Sequence, residues 1–563
     1  MARWNRRHVL QALSGLGIFA SLGNVFNRAL ADEVSRSGKI TPEMIAQAEW
    51  VAGLSLSPEQ RDELTGAAQS LQQKFALLRA ERLDASEPPV LAFFPAAPNH
   101  PGAGADADRR VTNTSACPER PETDDELAFL PVSELGQLIR ARKVTSVELT
   151  KIYLRRLRQF DPMLKCVVTL TESLALEQAE RADQELSDGK DRGPLHGIPW
   201  GAKDLIAYPG FPTTWGAAPF RDQMLSDRAT VAERLDAAGA VLVAKLSLGA
   251  LAWGDRWFGG LTRNPWNTGQ GSSGSSAGSA AATAAGLVGF ALGSETLGSI
   301  VSPCRRCSVT GLRPTFGRVS RWGCMPLAWS MDKIGPIARG VEDCALVLAA
   351  IHGADGRDHS AVTRPFAWPG QRAAPTLRIG YVEDGRALED RDELRIFREI
   401  GATLTPIQLP QDPPAHALHP ILNVEAASVF DDLTRTGVEE GLYRWPAAFR
   451  EGQFTPAVEY LRAQRFRGRL IERMNEMFDA ANIDLYVDGQ DLVITNFTGH
   501  PTVVLRKAAG AGDAEAANGG VTPQPEMFTL TGRLFGESAL LTAAHAYEQH
   551  TKLHRLRPTL RNA

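Results

Sequence analysis

Apolar positions between Leu127 and Pro162 recur at helical intervals, so that LAFLPVSELGQLIRARKVTSVELTKIYLRRLRQFDP predicts two amphipathic helices. Thr145, followed three residues later by Glu148, marks the start of the second as a capping box. In ATVAERLDAAGAVLVAKLS (229–247) the period changes: helical spacing stops at Gly239 and a continuous apolar run of strand length follows. TLRIGYV (376–382) repeats the strand signal, and REIGATLTPIQLP beyond it reads as helix and then strand. Such alternation predicts an α/β sheet. The run SAAATAAGLVGFALG (279–293) is apolar and built of small residues, and its Ala-rich part predicts a buried helix ending at Gly286.

The first 126 residues read differently. Arg6 and Arg7 precede a mildly apolar stretch from Val9 to Leu22, and Ala29, Leu30 and Ala31 form an AxA-like cleavage site. Residues 1–31 therefore predict a twin-arginine export signal and a periplasmic address. The apolar stretch is short for a spanning helix, and no later run reaches 18 apolar residues, so no membrane span is expected in the mature chain. Residues 32–96 predict two helices, the second opened by SPEQ at 57–60, forming a helical extension on the core. Residues 97–126, rich in Pro, Gly, Ala, Asp and Arg, predict a linker or surface wrap, and 127–563 the main domain.

Composition narrows the classes. Of 563 residues 43% are hydrophobic and 22% charged, which is ordinary for a globular protein, and a net charge of -4 gives no electrostatic reason to expect a nucleic-acid partner. Six cysteines in this length make no disulfide framework. The pair in CRRC, Cys304 and Cys307, lacks a second ligand pair, with only Cys324 downstream. Both read as buried small hydrophobes, and no metal and no cofactor is expected.

The candidate chemistry lies in three segments: LHGIPWGAKDL at 195–205, GSSAGS at 274–279 and GSETLGS at 293–299. Together they resemble the amidase signature family of serine hydrolases. The resemblance extends over most of 127–558 through GLRPTFGRVSR (311–321), MDKIGP (331–336), TNFTGHPTVV (495–504) and FTLTGRLFGESALL (528–541). It implies one large α/β domain with a twisted mixed sheet between helices, and a Ser, Ser, Lys triad. In that family the nucleophile ends the second Gly/Ser segment, which is Ser299 here. The bridging serine lies 24 positions earlier, at Ser275, and the base is the lysine of the KD pair, Lys203. Ser275 would relay the proton from Ser299 to a lysine whose pKa is depressed, while the backbone N–H groups of Thr296, Leu297, Gly298 and Ser299 would bind the oxyanion. The sequence departs from the family at Leu297, where glycine is common, and at Val301, where arginine is common. Leu297 bears on substrate shape, and Val301 removes a charge that could recognise an acidic group.

Other readings of the same residues are weaker. A flexible Gly/Ser linker would not be followed by an apolar helix. GQGSSG (269–274) matches a dinucleotide motif and GSSAG (274–278) a nucleophile elbow on Ser276, but both need a preceding strand, which 264–268 does not predict. Lys245 and Lys333 are alternative bases read as structural, and His196 and His500, beside Gly and Pro, read as turn histidines. HRLRPTLRN at 554–562 reads as a solvated terminus. The leading expectation is an exported amidase that hydrolyses small carboxamides through an acyl-enzyme on Ser299. The alternatives are a glutaminase-type subunit of a tRNA-dependent amidotransferase and a degenerate amidase fold used for binding.

Overall fold

The computed structural model describes residues 39–48, 57–59, 61–62, 65–66, 111–370, 376–383, 385–411, 414–453, 455–488, 491–507 and 524–560. One compact unit comprises Met1–Asp84 with Phe454–Pro456, where the described residues include a helix at Pro42–Ala48 and helical residues at 58–59, 61–62 and 65–66. The export signal expected at 1–31 and most of the expected extension lie outside the described residues. The second unit, Ala85–Gln453 with Ala457–Ala563, carries everything that follows.

Eleven strands among its described residues form one mixed sheet: β1 Val167–Leu170, β2 Pro199–Lys203, β3 Val241–Leu246, β4 Phe290–Glu295, β5 Thr310–Arg313, β6 Lys333–Ala338, β7 Arg378–Val382, β8 Thr403–Ile407, β9 Leu485–Asp488, β10 Thr502–Arg506 and β11 Met527–Gly532. Their order is β1-β3-β2-β4-β6-β5-β10-β11-β9-β7-β8. β2 runs parallel to both β3 and β4, β4 to β6 is antiparallel, and β9, β7 and β8 are mutually parallel.

Alternate residues of these strands belong to two separate cores. Leu242, Leu292, Ala338 and Val503 pack into one cluster, while Val241, Val243, Ala291, Ile337 and Val504 pack into the other. The sheet is thus buried on both faces, which is why its central strands carry no polar alternation. The second cluster is completed by the helix Ala277–Ala284, every residue of which is buried. Its small side chains allow that close packing, and it ends just before Gly286, where the Ala-rich run predicted.

The other predicted elements form as helices Val132–Arg140, Ser146–Leu164 and Thr230–Ala237, then strand β3, and as β7, helix Asp392–Glu399 and β8. Thr145 Oγ1 accepts the Glu148 N–H at 3.0 Å, but the Glu148 carboxylate pairs with Arg120, so half of that capping box forms. A full box occurs one element earlier, where Thr123 and Glu126 open the helix Asp124–Ala128. Upstream of it the chain is pinned along the core: Thr114 Oγ1 and Ser115 Oγ donate to the Glu342 carboxylate at 2.6 and 2.7 Å.

The C-terminal segment differs from expectation. His554 is buried, Arg555 pairs with Glu134, and Arg506 donates to the carbonyls of Leu553 and Leu556 at 2.6 and 2.7 Å. A neighbouring guanidinium thus gives the basic segment a docking point that its charge alone does not reveal.

Candidate active site

Three segments converge at the C-terminal ends of β2 and β4. β2 ends in Lys203, and its parallel register with β4 pairs Ala202 with Leu292, which brings Lys203 alongside Ser294. The segment before the Ala-rich helix supplies Ser275 and Ser276. The loop leaving β4 carries Thr296 to Ser299, and the Ser276 N–H donates to the Ser299 carbonyl at 3.0 Å, tying the two serine segments together.

Lys203 is fully buried, and its Nζ lies within hydrogen-bond distance of Ser275 Oγ at 2.7 Å, Ser294 Oγ at 2.8 Å, Ser276 Oγ at 3.0 Å and the Ser294 carbonyl at 3.3 Å. Burial lowers its pKa well below the ordinary lysine value, against the opposing pull of Asp332 and Glu295. Its surroundings therefore favour the neutral amine over the ammonium. The Ser276 hydroxyl donates to the Ser294 carbonyl at 3.0 Å and accepts the Ser294 N–H at 3.1 Å, with no exposed surface. Ser299 retains 8% of its surface, and among the described residues its Oγ makes no hydrogen bond.

The Ser299 loop is held from several sides. Gly298 has φ +95°, a conformation costly for a residue with a side chain, and a Cβ there would meet Ser302 Oγ at 2.9 Å. Glu295 Oε2 accepts the N–H groups of Ile300 and Val301 at 2.7 and 2.8 Å, and Oε1 accepts Arg313 and Asn496 Nδ2, each at 2.7 Å. Burial alone would raise the Glu295 carboxyl, but Arg313 and Lys333 outweigh it and keep the pKa below the ordinary value. Thr296 Oγ1 donates to Asp332 at 2.6 Å, and Lys333 Nζ donates to the Thr296 carbonyl at 3.3 Å and to Asn496 Oδ1 at 2.8 Å. Because a peptide's C=O and N–H point in opposite directions, fixing the Thr296 carbonyl also fixes the Leu297 N–H. Leu297 is partly buried against the first of the two apolar clusters, and Val301 lies wholly within the second.

The alternative residues are engaged elsewhere. Lys245 forms a fully buried ion pair with Asp204 at 2.7 Å. His196 accepts the Arg192 N–H at 3.1 Å, and His500, bonded to Thr498 Oγ1 at 2.8 Å, is pushed down to about 3 by burial and by Arg313 and Arg533. Cys304 and Cys307 are buried thiols, and burial raises both pKa values. One expectation fails: a short strand, Asn267–Gly271, does precede GSSAG. It pairs with Arg263–Asn264 in a separate two-stranded hairpin rather than in the main sheet, and a hairpin edge neither supports a nucleotide fold nor exposes Ser276.

A profile of the amidase family matches residues 148–518. The chain belongs to the amidase family. A curated relative from Methylococcus capsulatus, the A-type subunit of its glutamyl-tRNA(Gln) amidotransferase, is 32% identical over 487 residues, covering 76% of this chain and 98% of its own. The native peptide amidase from Stenotrophomonas maltophilia superposes with a TM-score of 0.66 at 30% identity, over 76% of this chain and 98% of that one. A bacterial aryl acylamidase of the amidase signature family has the same fold, with a TM-score of 0.63 at 22% identity, over 77% and 99%. The chain is therefore an amide hydrolase of the amidase signature type.

In this amidase the structure brings Lys203, Ser275 and the 296–299 loop together. It adds Ser294, Glu295, Asp332 and Asn496, to which motif reading gave no role, and places Ser276, read only as a rival nucleophile, against Lys203. Each is a polar residue in a segment that the structure buries, and a buried polar side chain needs a partner.

Proposed function

We propose that this amidase hydrolyses the C–N bond of small carboxamides through an acyl-enzyme on Ser299, with Ser275 and Lys203 as its proton relay. The observation that carries the reading is the buried Lys203 Nζ, 2.7 Å from Ser275 Oγ and shifted toward its neutral form. Ser299 Oγ attacks the carbonyl carbon as its proton passes to Ser275, whose own proton moves to Lys203. The oxyanion accepts hydrogen bonds from backbone N–H groups among Thr296, Leu297, Gly298 and Ser299, a contribution that costs about 10²–10³-fold in rate when one donor is lost. The C–N bond then breaks as the relay returns the proton to the departing nitrogen. Water hydrolyses the resulting ester by the same relay run in reverse. The remaining link of the relay, from Ser299 Oγ to Ser275 Oγ, is expected to tighten when substrate binds, as catalytic hydrogen bonds often do.

A serine-reactive fluorophosphonate tests the assignment. Ser299→Ala is expected to abolish labelling, and Ser276→Ala to retain a measurable part of it. The reverse pattern would move the nucleophile to Ser276.

The relationship to the amidotransferase family members favours a second reading, in which the chain releases ammonia from an amide donor for a partner subunit. Carboxamide hydrolysis by the purified chain alone supports the first reading, whereas activity that requires a co-purifying subunit supports the second. The twin-arginine-type start at Arg6 and Arg7 favours export to the periplasm, away from cytoplasmic tRNA charging. Cell fractionation tests that address: activity confined to the cytoplasm would overturn it.

A further inference from the structure

Beside the proposed relay lies a cavity of about 50 Å³ whose wall includes Ser294 and Thr296. Water needs about 10–15 Å³ of such space, so the cavity holds about three to five atoms of that size. Its apolar wall comes from Leu205, Met325, Leu327 and Ile334, all buried, with Trp329 and the neutral thiol of Cys324 beside them.

The wall also contains four charged side chains, and each is already engaged. Arg321 donates to Asp358 through Nε at 2.8 Å and a terminal nitrogen at 2.9 Å, to Ser360 Oγ at 2.9 Å, and to the Trp329 carbonyl. Asp358 also accepts the N–H groups of Arg321 and Ser360 at 2.9 and 3.0 Å. Asp332 accepts Thr296 Oγ1 and, through its other oxygen, the N–H groups of Leu327 and Ala328 at 2.8 and 3.0 Å. Arg357 pairs with Glu233 and donates to Thr230 Oγ1 at 2.7 Å. A carboxylate or ammonium brought into this space would lose its water and find both arginines and Asp358 already paired and Asp332 already holding three hydrogen bonds, an arrangement that disfavours burial of the ion.

We infer that this cavity is the subsite for an uncharged aliphatic group of the amide substrate, of the size of a short branched alkyl chain, and that it excludes acidic and basic groups. The inference rests on the proposed site and names the substrate class that the site accepts. An alkyl group of matching size gains contact with the apolar wall, and each methylene that fits or fails to fit is worth about 10–200-fold in discrimination.

The test uses the purified chain and two matched sets of substrates. One set consists of primary amides R–CO–NH2 and the other of acetamides CH3–CO–NH–R, with R running from methyl through isobutyl to hexyl and including carboxylate and ammonium ends. In at least one set, kcat/KM is expected to peak at propyl to isobutyl and to fall at least about tenfold at hexyl and at either charged end. The set in which the peak appears assigns the pocket to the acyl or the amine side. Met325→Ala, which enlarges the cavity, is expected to move the peak to longer chains, and Cys324→Phe, which fills it, to shorter ones. A flat response in both sets, or a preference for a charged end, would overturn the inference. Fluorophosphonate labelling of Ser299 in the same preparations reports the nucleophile separately. Labelled enzyme without size preference fails the pocket alone, while unlabelled Ser299 fails the reading beneath it.

Discussion

The carboxylate of Glu295 accepts the backbone N–H of Ile300 at 2.7 Å, so one buried side chain at the end of a central strand closes the loop that presents Ser299. Its other oxygen meets Arg313, and both partners of that pair are fully buried. Glu295→Gln keeps the shape but leaves the guanidinium without its counter-charge. Breaking a buried pair costs about 3–5 kcal/mol, so the thermal unfolding midpoint is expected to fall by several degrees. An unchanged midpoint would mean that Arg313 finds another partner.

In the proposed relay the buried position of Lys203 sets the pH dependence of the reaction. Its folded-state pKa lies well below the ordinary value of 10.5, and the neutral form would serve as the base. In kcat/KM for an amide this gives a limb that rises with pH through the depressed value and then levels, and Lys203→Ala is expected to remove it. The same shift affects stability. Below the folded pKa the native state holds an unfavourable buried charge. From there to the ordinary value the unfolded chain binds more protons, so the contribution improves as pH rises. The unfolding midpoint of wild type is therefore expected to gain on that of Lys203→Met between neutral and alkaline pH, and a constant difference would contradict the depressed pKa.

Lys245 provides the contrast. It is as buried as Lys203, but its Nζ faces Asp204 at 2.7 Å and no hydroxyl of the proposed relay. Lys245→Met is expected to lower the thermal midpoint, again through an orphaned charge worth about 3–5 kcal/mol. The labelling rate per folded molecule should stay within about tenfold of wild type, because the loss of an acid–base group costs about 10²–10⁴-fold. A loss in that larger range, at unchanged stability, would make Lys245 part of the chemistry.

Gly274, immediately before Ser275, allows a close approach. A Cβ there would meet the Gly254 carbonyl oxygen at 1.8 Å and its carbon at 2.4 Å, so one of the two segments must move in Gly274→Ala. Displacements of about 1 Å at a reacting geometry can cost about 10²-fold. The labelling rate of the folded variant is expected to fall by about that factor, and a wild-type rate would show that the segment gives way without moving Ser275.

Much of this was legible in the sequence where local signals act alone. The helix, glycine stop and strand of 229–247 and the Ala-rich helix follow from period and breaker residues, whereas the grouping of Lys203 with the two Gly/Ser segments comes from the resemblance to the amidase signature family. The strands PWGAK, TGLR and KIGPIA were not legible, because their glycines, prolines and charged residues lower strand propensity. Burial on both faces, a property of the assembled sheet, overrides that preference. The Glu295, Arg313 and Asn496 cluster was hidden for the same reason: its members are up to 201 residues apart in sequence and meet only across strands and the helix Leu492–Thr498.

The central claim is that Lys203 takes the Ser299 proton through Ser275 and returns it to the leaving nitrogen. An amine needs that proton to depart, whereas an aryl ester's phenoxide needs it far less. The direct measurement is kcat/KM of folded Lys203→Ala for an amide and for the matched aryl ester, across pH 6 to 10, a window of about four units on the acid side of the ordinary lysine value. The account predicts a loss of about 10²–10⁴-fold or more for the amide and a clearly smaller one for the ester. Equal losses would reduce Lys203 to holding Ser275 in place, and an unchanged amide rate would contradict the relay outright.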